Sequence, residues 1–229
     1  MANTIVVCGY GPGISQAVAR KFGSAGFQVA LVSRSADSVT RGAAALNDVG
    51  IKARGFRCDL TDLAAVSGLF AEVRAAFGPI TVLHWNAYAR LAGDLTTSEP
   101  NELRSSLDLA VVSLTAAVQA VLPDLRAQPE AAVLVTGGGF ALYEKQIDLL
   151  AVQSRAMGLA VAKAAQHKLV GVLHAKLKPE GVYVGEVTIL GIVKGTAADR
   201  GNGTIDAATV AEKFWEISRT RSEVWVRVS

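Results

Sequence analysis

The sequence predicts an α/β fold, a parallel sheet of about seven strands wound in both directions with helices on both faces. Three observations carry this. Short runs rich in β-branched residues alternate with longer segments whose apolar residues recur every three or four positions, and strand–helix repetition builds a parallel sheet. The first strand, "TIVVCG" (4–9), is almost wholly apolar, as a strand covered on both faces must be. It runs into a glycine-rich turn that opens a helix, at the end of the sheet where open α/β folds bind ligands. Together these describe a Rossmann-type architecture.

The elements follow in order. "ISQAVARKFGSAG" (14–26) is helical, because Ile14, Ala17, Val18, Phe22 and Ala25 share one face, and Gly26 stands at a C-terminal cap. "FQVALVSR" (27–34) is the second strand, 37–49 a helix ending near Gly50, and "IKARGFRCDL" (51–60) the third strand. Thr61 or Asp62 caps a helix running to Phe77, which Gly78–Pro79 stops. "ITVLHWNA" (80–87) is strand four. After a loop, a long helix reaches Leu122, with Pro123 near its end. "AAVLVTGGG" (131–139) is strand five, 150–178 a helix, and "GVYVGEVTIL" (181–190) strand six. A short helix over 207–219 and the strand "EVWVRVS" complete the pattern. No linker or repeat interrupts it, so 1–229 is expected to form one domain.

Composition narrows the function. Of 229 residues, 51% are hydrophobic and 19% charged, which suits a packed core and excludes disorder. The net charge of +3 is scattered, with no basic block for nucleic acid. The longest weakly polar run, 109–122, is 14 residues, the length of a buried helix and too short for a membrane span. "MANTIVVCGY" lacks the charged start of a signal peptide, and two cysteines make no disulfide framework, so the expected location is cytoplasmic. Cys8 and Cys58 end strands one and three. With a strand between them they stand about 9–10 Å apart, too far for a disulfide, and are expected as buried thiols. His84 lies inside a strand and reads as a hydrogen-bonded core residue. His167 and His174 have no cysteine or acid at ligand spacing, so no metal site is expected.

The turn "CGYGPGIS" (8–15) carries the first functional signal. Glycine lets the backbone turn tightly and approach a pyrophosphate, and the helix start offers free N–H groups to phosphates. As G-x-G-x-x-G it fails, since Ile14 replaces the third glycine. It fits G-x-x-x-G-x-G with Ser15 at the last position. With "CDL" (58–60), "WNA" (85–87) and "AKAA" (162–165) along the chain, the sequence resembles the short-chain dehydrogenase/reductase family over its whole length. The resemblance implies a cofactor held by Gly9, Gly11, Pro12, Gly13 and Ile14, with Asp59 and Leu60 at the adenine. Asn86 and Ala87 would lie beside the cofactor, Lys163 on the nicotinamide ribose, and Val193 at the nicotinamide amide. Tyr88 stands where the family has glycine. Charge decides the form of the cofactor. A carboxylate at the end of strand two would select NAD, but the chain has Ser33 and Arg34 there, and a cation there favours the 2′-phosphate of NADP over NAD.

In the family, a tyrosine moves the hydroxyl proton and a lysine four residues later supports it. Positions i and i+4 share a helix face, and the positive charge favours the tyrosinate. Here Lys163 is present, but Leu159 occupies the tyrosine position. Ala110 occupies that of the helix asparagine, and glycines 137–139 that of the serine. Leu190–Gly191 replaces the usual Pro-Gly. This resembles a divergent branch of the family that ends, as here, in "FW" and a tryptophan-bearing strand. A substitute proton donor is expected in the long segment before Lys163. Tyr143, with Lys145 near it, is the first choice, ahead of Tyr88 and His84. The function expected is an NADP(H)-dependent oxidoreductase of a small carbonyl or alcohol substrate. The alternatives are a non-catalytic NADP(H)-binding sensor or partner subunit, and a non-redox lyase or isomerase on the same scaffold. The resemblance also implies a homodimer or homotetramer built on the two long helices.

Overall fold

The computed structural model describes residues 2–229. Seven strands, all parallel, form one sheet: β1 (Thr4–Cys8), β2 (Gln28–Ser33), β3 (Ala53–Arg57), β4 (Val82–Trp85), β5 (Ala132–Gly138), β6 (Tyr183–Ile189) and β7 (Trp225–Val228). Their order across the sheet is β3-β2-β1-β4-β5-β6-β7, so the winding reverses between β1 and β4. The helices are α1 (Ile14–Ser24), α2 (Ala36–Asn47), α3 (Leu63–Phe77), α4 (Pro100–Leu107), α5 (Ser113–Arg126), α6 (Lys145–Gln153), α7 (Met157–Leu177) and α8 (Ala207–Thr220).

Alternation along each strand divides the core in two. Val6 and Cys8 pack with residues of α3, α5 and α7, whereas Ile5 and Val7 pack with α1, α2 and α8. Strands buried on both faces need this double cover. The apolar stripe read on the first helix is the buried face of α1, where Val18 and Phe22 are fully enclosed. Asp62, rather than Thr61, caps α3 by accepting from the Ala64 and Ala65 amides. Among the described residues, the helical run 100–126 is the one stretch long and apolar enough to cross a membrane, and α5 buries Leu114, Val118, Val121 and Leu125 in the core.

Three elements differ from the sequence reading. Strand three is shorter, 53–57, because Asp59 turns away to accept hydrogen bonds from Thr61. The helix expected over 150–178 is two helices, broken at 154–156 where Arg155 adopts φ +48°. The long helix before strand five runs past Pro123 to Arg126, anchored by Asp124, which accepts from Arg74 Nε at 2.8 Å and from the Ile80 amide at 3.2 Å. That helix also contains one π-helical turn, Asp108–Val112, between α4 and α5.

Cys8 and Cys58 are free and buried. Burial raises both thiols, Cys58 to about 11, so neither is a thiolate near neutral pH. His84 is fully enclosed, with Nε2 3.2 Å from Thr136 Oγ1 and its ring edge-on to Phe214. Burial lowers its pKa to about 3, which keeps the imidazole neutral.

Candidate functional site

Every element of the site lies at the carboxyl ends of β1 to β6, on either side of the winding reversal. The glycine turn is held by its neighbours. Gly9 has φ +80°, and a Cβ there would stand 2.6 Å from the Ala87 nitrogen, so Ala87 packs directly on the turn. The Asn86 amide donates to Cys8 O at 2.9 Å and its side chain to Gly9 O at 3.3 Å, which ties the end of β4 to the end of β1. Ser15 does the closing that a last glycine would leave to backbone packing. Its Oγ accepts from the Gly11 amide at 2.9 Å and donates to Gly11 O at 3.0 Å. Gly13 has φ +83° and begins α1 with no side-chain cap, and the methyl of Thr196 rests where its Cβ would be. A Cβ on Gly11 meets nothing within 4 Å, so open space faces the middle of the turn. Pro12 is exposed and Ile14 half-buried at the helix start.

At the far end of the crevice, Ser33 turns back on Ser35, which caps α2. Arg34 is exposed beyond it. Arg34, Arg57, Cys58, Asp59, Asp62 and Ala65 line a pocket of about 290 Å³. The two carboxylates are already engaged. Asp59 accepts from the Thr61 amide and hydroxyl, which lowers its pKa with a smaller contribution from Arg34, and Asp62 caps α3. Neither guanidinium forms an ion pair among the described residues. Leu60 is buried. Arg57 was not among the residues picked from sequence. Its signal was its place in "FRCDL", two before the acid, where the parallel register sets it beside Ser33.

The other end of the site is built around Lys163. The amine is buried, donates to Thr136 O at 2.7 Å and to Gln166 Oε1 at 2.8 Å, and keeps its third proton free. Gln166 in turn donates to Ala110 O at 3.1 Å. That carbonyl lies in the π-helical turn Asp108–Val112. Burial pulls the lysine pKa down to about 8, partly opposed by Glu186. Leu159 lies one helical turn before Lys163. A Cβ on Gly138 would enter open space, whereas one on Gly137 would overlap the Glu186 carboxylate. The start of α7 is clamped to the loop after β4: the Gly158 amide donates to Ala92 O at 2.8 Å, and Arg90 to Ser154 O at 2.7 Å. That clamp holds Tyr88 near the lysine, whose Nζ lies 5.8 Å from the centre of the Tyr88 ring. Tyr88 is 47% exposed; Tyr143 is 88% exposed and makes no hydrogen bond among the described residues. Sequence reasoning missed Gln166, which lies three residues after Lys163 on the same helix and could have been found from that spacing, and Glu186, which is remote in sequence from Gly137 and His167. Val193 is buried, pairs with Ile205, and accepts from Thr196 Oγ1 at 2.7 Å, so the segment 192–206 folds down toward the glycine turn.

The strand order, the glycine turn at the reversal and the buried lysine define a dinucleotide-type crevice on a doubly wound sheet. Residues 3–204 match the model of the short chain dehydrogenase family, and the chain belongs to that family. It is 28% identical over 188 residues to a short chain dehydrogenase of Pseudocercospora fijiensis, covering 79% of this chain and 60% of that protein. It is 30% identical over 114 residues to a candidate ketoacyl reductase of Streptomyces coelicolor, covering 50% of this chain and 42% of that one. The chain thus spans about half the length of the curated relatives it matches. A metagenomic short-chain oxidoreductase solved in complex with NADP superposes with a TM-score of 0.81 at 21% identity, over 99% of this chain and 95% of that one.

Proposed function

We propose that the chain is an NADP(H)-dependent oxidoreductase of the short-chain dehydrogenase type, acting on a small carbonyl or alcohol substrate with a proton donor other than the family's tyrosine. The observation that carries the cofactor is the pair of unpaired guanidinium groups, Arg34 and Arg57, on a pocket whose carboxylates are already engaged. The residues present fit the dinucleotide. Gly11 leaves open space at the turn, α1 begins without a cap, and Lys163 keeps a free donor. When bound, the nicotinamide supplies hydride transfer. The chain's residues do the rest. The turn amides receive the pyrophosphate, Arg34 and Arg57 the 2′-phosphate, and Lys163 the ribose, with the 192–206 segment closing the nicotinamide end at Val193.

The proton must reach the substrate oxygen from elsewhere than Leu159. Tyr88 is the phenol best placed, since its ring stands against the lysine charge and is open to a ligand. Tyr143, first choice from the sequence, can serve only if its loop folds inward. Loss of a positioned acid lowers a rate by about 10²–10⁴ without forbidding the reaction. A second reading, a non-catalytic NADP(H)-binding sensor or partner subunit, is favoured by the engagement of the Lys163 amine with Thr136 O and with Gln166 Oε1, the latter tied in turn to Ala110 O. Exposed Val161 and Val172 on α7 support a homodimer or homotetramer. The test is titration with NADPH and NADH by nicotinamide fluorescence, followed by a panel of carbonyl compounds. Binding of neither cofactor refutes both readings. Binding without turnover on the panel selects the second. With turnover, loss of activity in Tyr88→Phe and not in Tyr143→Phe names the donor.

A further inference from the structure

Behind Lys163 lies a buried acid that the scheme above leaves unused. Glu186, in the middle of β6, is 1% exposed. A buried carboxylate is costly unless it is paired or charge-compensated. Its Oε1 accepts from Thr188 Oγ1 at 2.6 Å and lies 2.9 Å from His167 Nδ1, while Oε2 is enclosed with no hydrogen bond among the described residues. The carboxylate lies against Gly137, on the ground a Cβ would take, and so explains why glycine stands there. Gly137 follows Thr136, whose carbonyl holds the Lys163 amine. The acid and the amine therefore flank a single peptide unit of β5, in a region closed to water.

We infer that Glu186 is the buried counter-ion of Lys163, a positioning residue that keeps the amine charged for the cofactor. The inference rests on the reading of Lys163 as a cofactor-facing group. Glu186 also meets His167 Nδ1 at 2.9 Å, an ion pair only when that imidazole is protonated, whereas no second carboxylate lies against the amine among the described residues. The loop after β4 presents the phenol of Tyr88 and β5 a backbone carbonyl. The π turn presents the Ala110 carbonyl through Gln166, and its Asp108 faces a separate hollow with Thr61 and Ser105. On α4, Glu102 accepts from the Ala92 amide and Arg104 is exposed. On α7, His167 faces Glu186 from the other side and stacks on Trp225 of β7, with ring centres 5.2 Å apart. Glu186 is thus the one carboxylate left to balance the lysine. The charge matters because burial alone takes Lys163 toward neutrality close to physiological pH, and a neutral amine holds a ribose less firmly.

The test is a direct titration of the lysine amine. Protein labelled at lysine with ¹³C and ¹⁵N is followed by NMR through the side-chain nitrogen, with the Lys163 signal assigned by its absence in Lys163→Arg. Wild type is expected to titrate near 8. Glu186→Gln, which keeps the shape and the Thr188 contact, is expected to titrate about one to two pH units lower. If it does not fold, Glu186→Asp, with its carboxylate drawn back from Gly137, is expected to move the same way by less. A Lys163 titration unchanged in the folded variant overturns the inference. NADPH affinity separates this failure from that of the underlying reading. If Lys163→Met binds NADPH as well as wild type does, Lys163 is not a cofactor group, whatever the NMR shows. If Lys163→Met loses NADPH but Glu186→Gln leaves the titration unmoved, only the counter-ion assignment falls.

Discussion

Removing Arg57 should weaken NADPH and spare NADH. Arg57 closes β3 beside Ser33 and shares its pocket with Arg34. The 2′-phosphate carries nearly two negative charges, and a charge-assisted hydrogen bond to it contributes about 1.5–3 kcal/mol. Both arginines are exposed, so the lower end applies. At about 1.4 kcal/mol per tenfold, Arg34→Ala and Arg57→Ala should each raise the NADPH Kd roughly 10-fold, and the double variant roughly 50- to 100-fold. NADH, which lacks the phosphate, should change less than about twofold. The assay is nicotinamide fluorescence titration at low and high salt, with 2′,5′-ADP as a competitor that reports the phosphate end alone. Salt should weaken wild type toward the double variant, since exposed charges are screened beyond about 10 Å at 0.1 M. Equal losses for NADPH and NADH would mean that the arginines support the adenosine or the fold. Loss in Arg34→Ala alone would make Arg57 a solvated strand end.

Three further outcomes test the structure. Lys163 titrates near 8 when folded and near 10.5 when unfolded, so between those values the unfolded chain binds more protons and stability must rise with pH. Measured by urea denaturation, wild type should gain on Lys163→Met by up to about 3 kcal/mol from pH 8 to 10.5, and a flat difference would show that the amine is not buried. Gly9→Ala should lower stability by about 3 kcal/mol or more, since it adds a side chain at φ +80° against the Ala87 backbone, while Gly11→Ala should cost less than about 1 kcal/mol; comparable thermal midpoints for the two would contradict the close approach. Gly138→Ser should fold as well as wild type and Gly137→Ser should not, because only Gly137 has the Glu186 carboxylate against it; a reversed order in thermal midpoints would place the carboxylate elsewhere.

The sequence alone determined the architecture and the glycine turn that opens the first helix. Alternating strand and helix patterns fix a parallel sheet, because a strand apolar on both faces has nowhere else to go. The glycine turn was legible because local backbone geometry demands its residues: Gly9 and Gly13 both adopt positive φ. Arg34 and Asp59 were legible from their places at strand ends. That Leu159 stands one turn before Lys163 was legible too, since the two share one helix at a fixed offset.

What the sequence did not determine is what surrounds that lysine. Gln166 joins it to the Ala110 carbonyl, which lies in the π turn of a neighbouring helical run. Glu186 comes from another strand and lies against Gly137, a glycine whose lack of a side chain has meaning only once that carboxylate is beside it. Tyr88 rather than Tyr143 faces it, because the loop after β4 is clamped to the start of α7. Spacing along a chain reports partners within one helix or one turn. Partners supplied by two different strands, a loop and a second helix meet only when the sheet brings its carboxyl ends together.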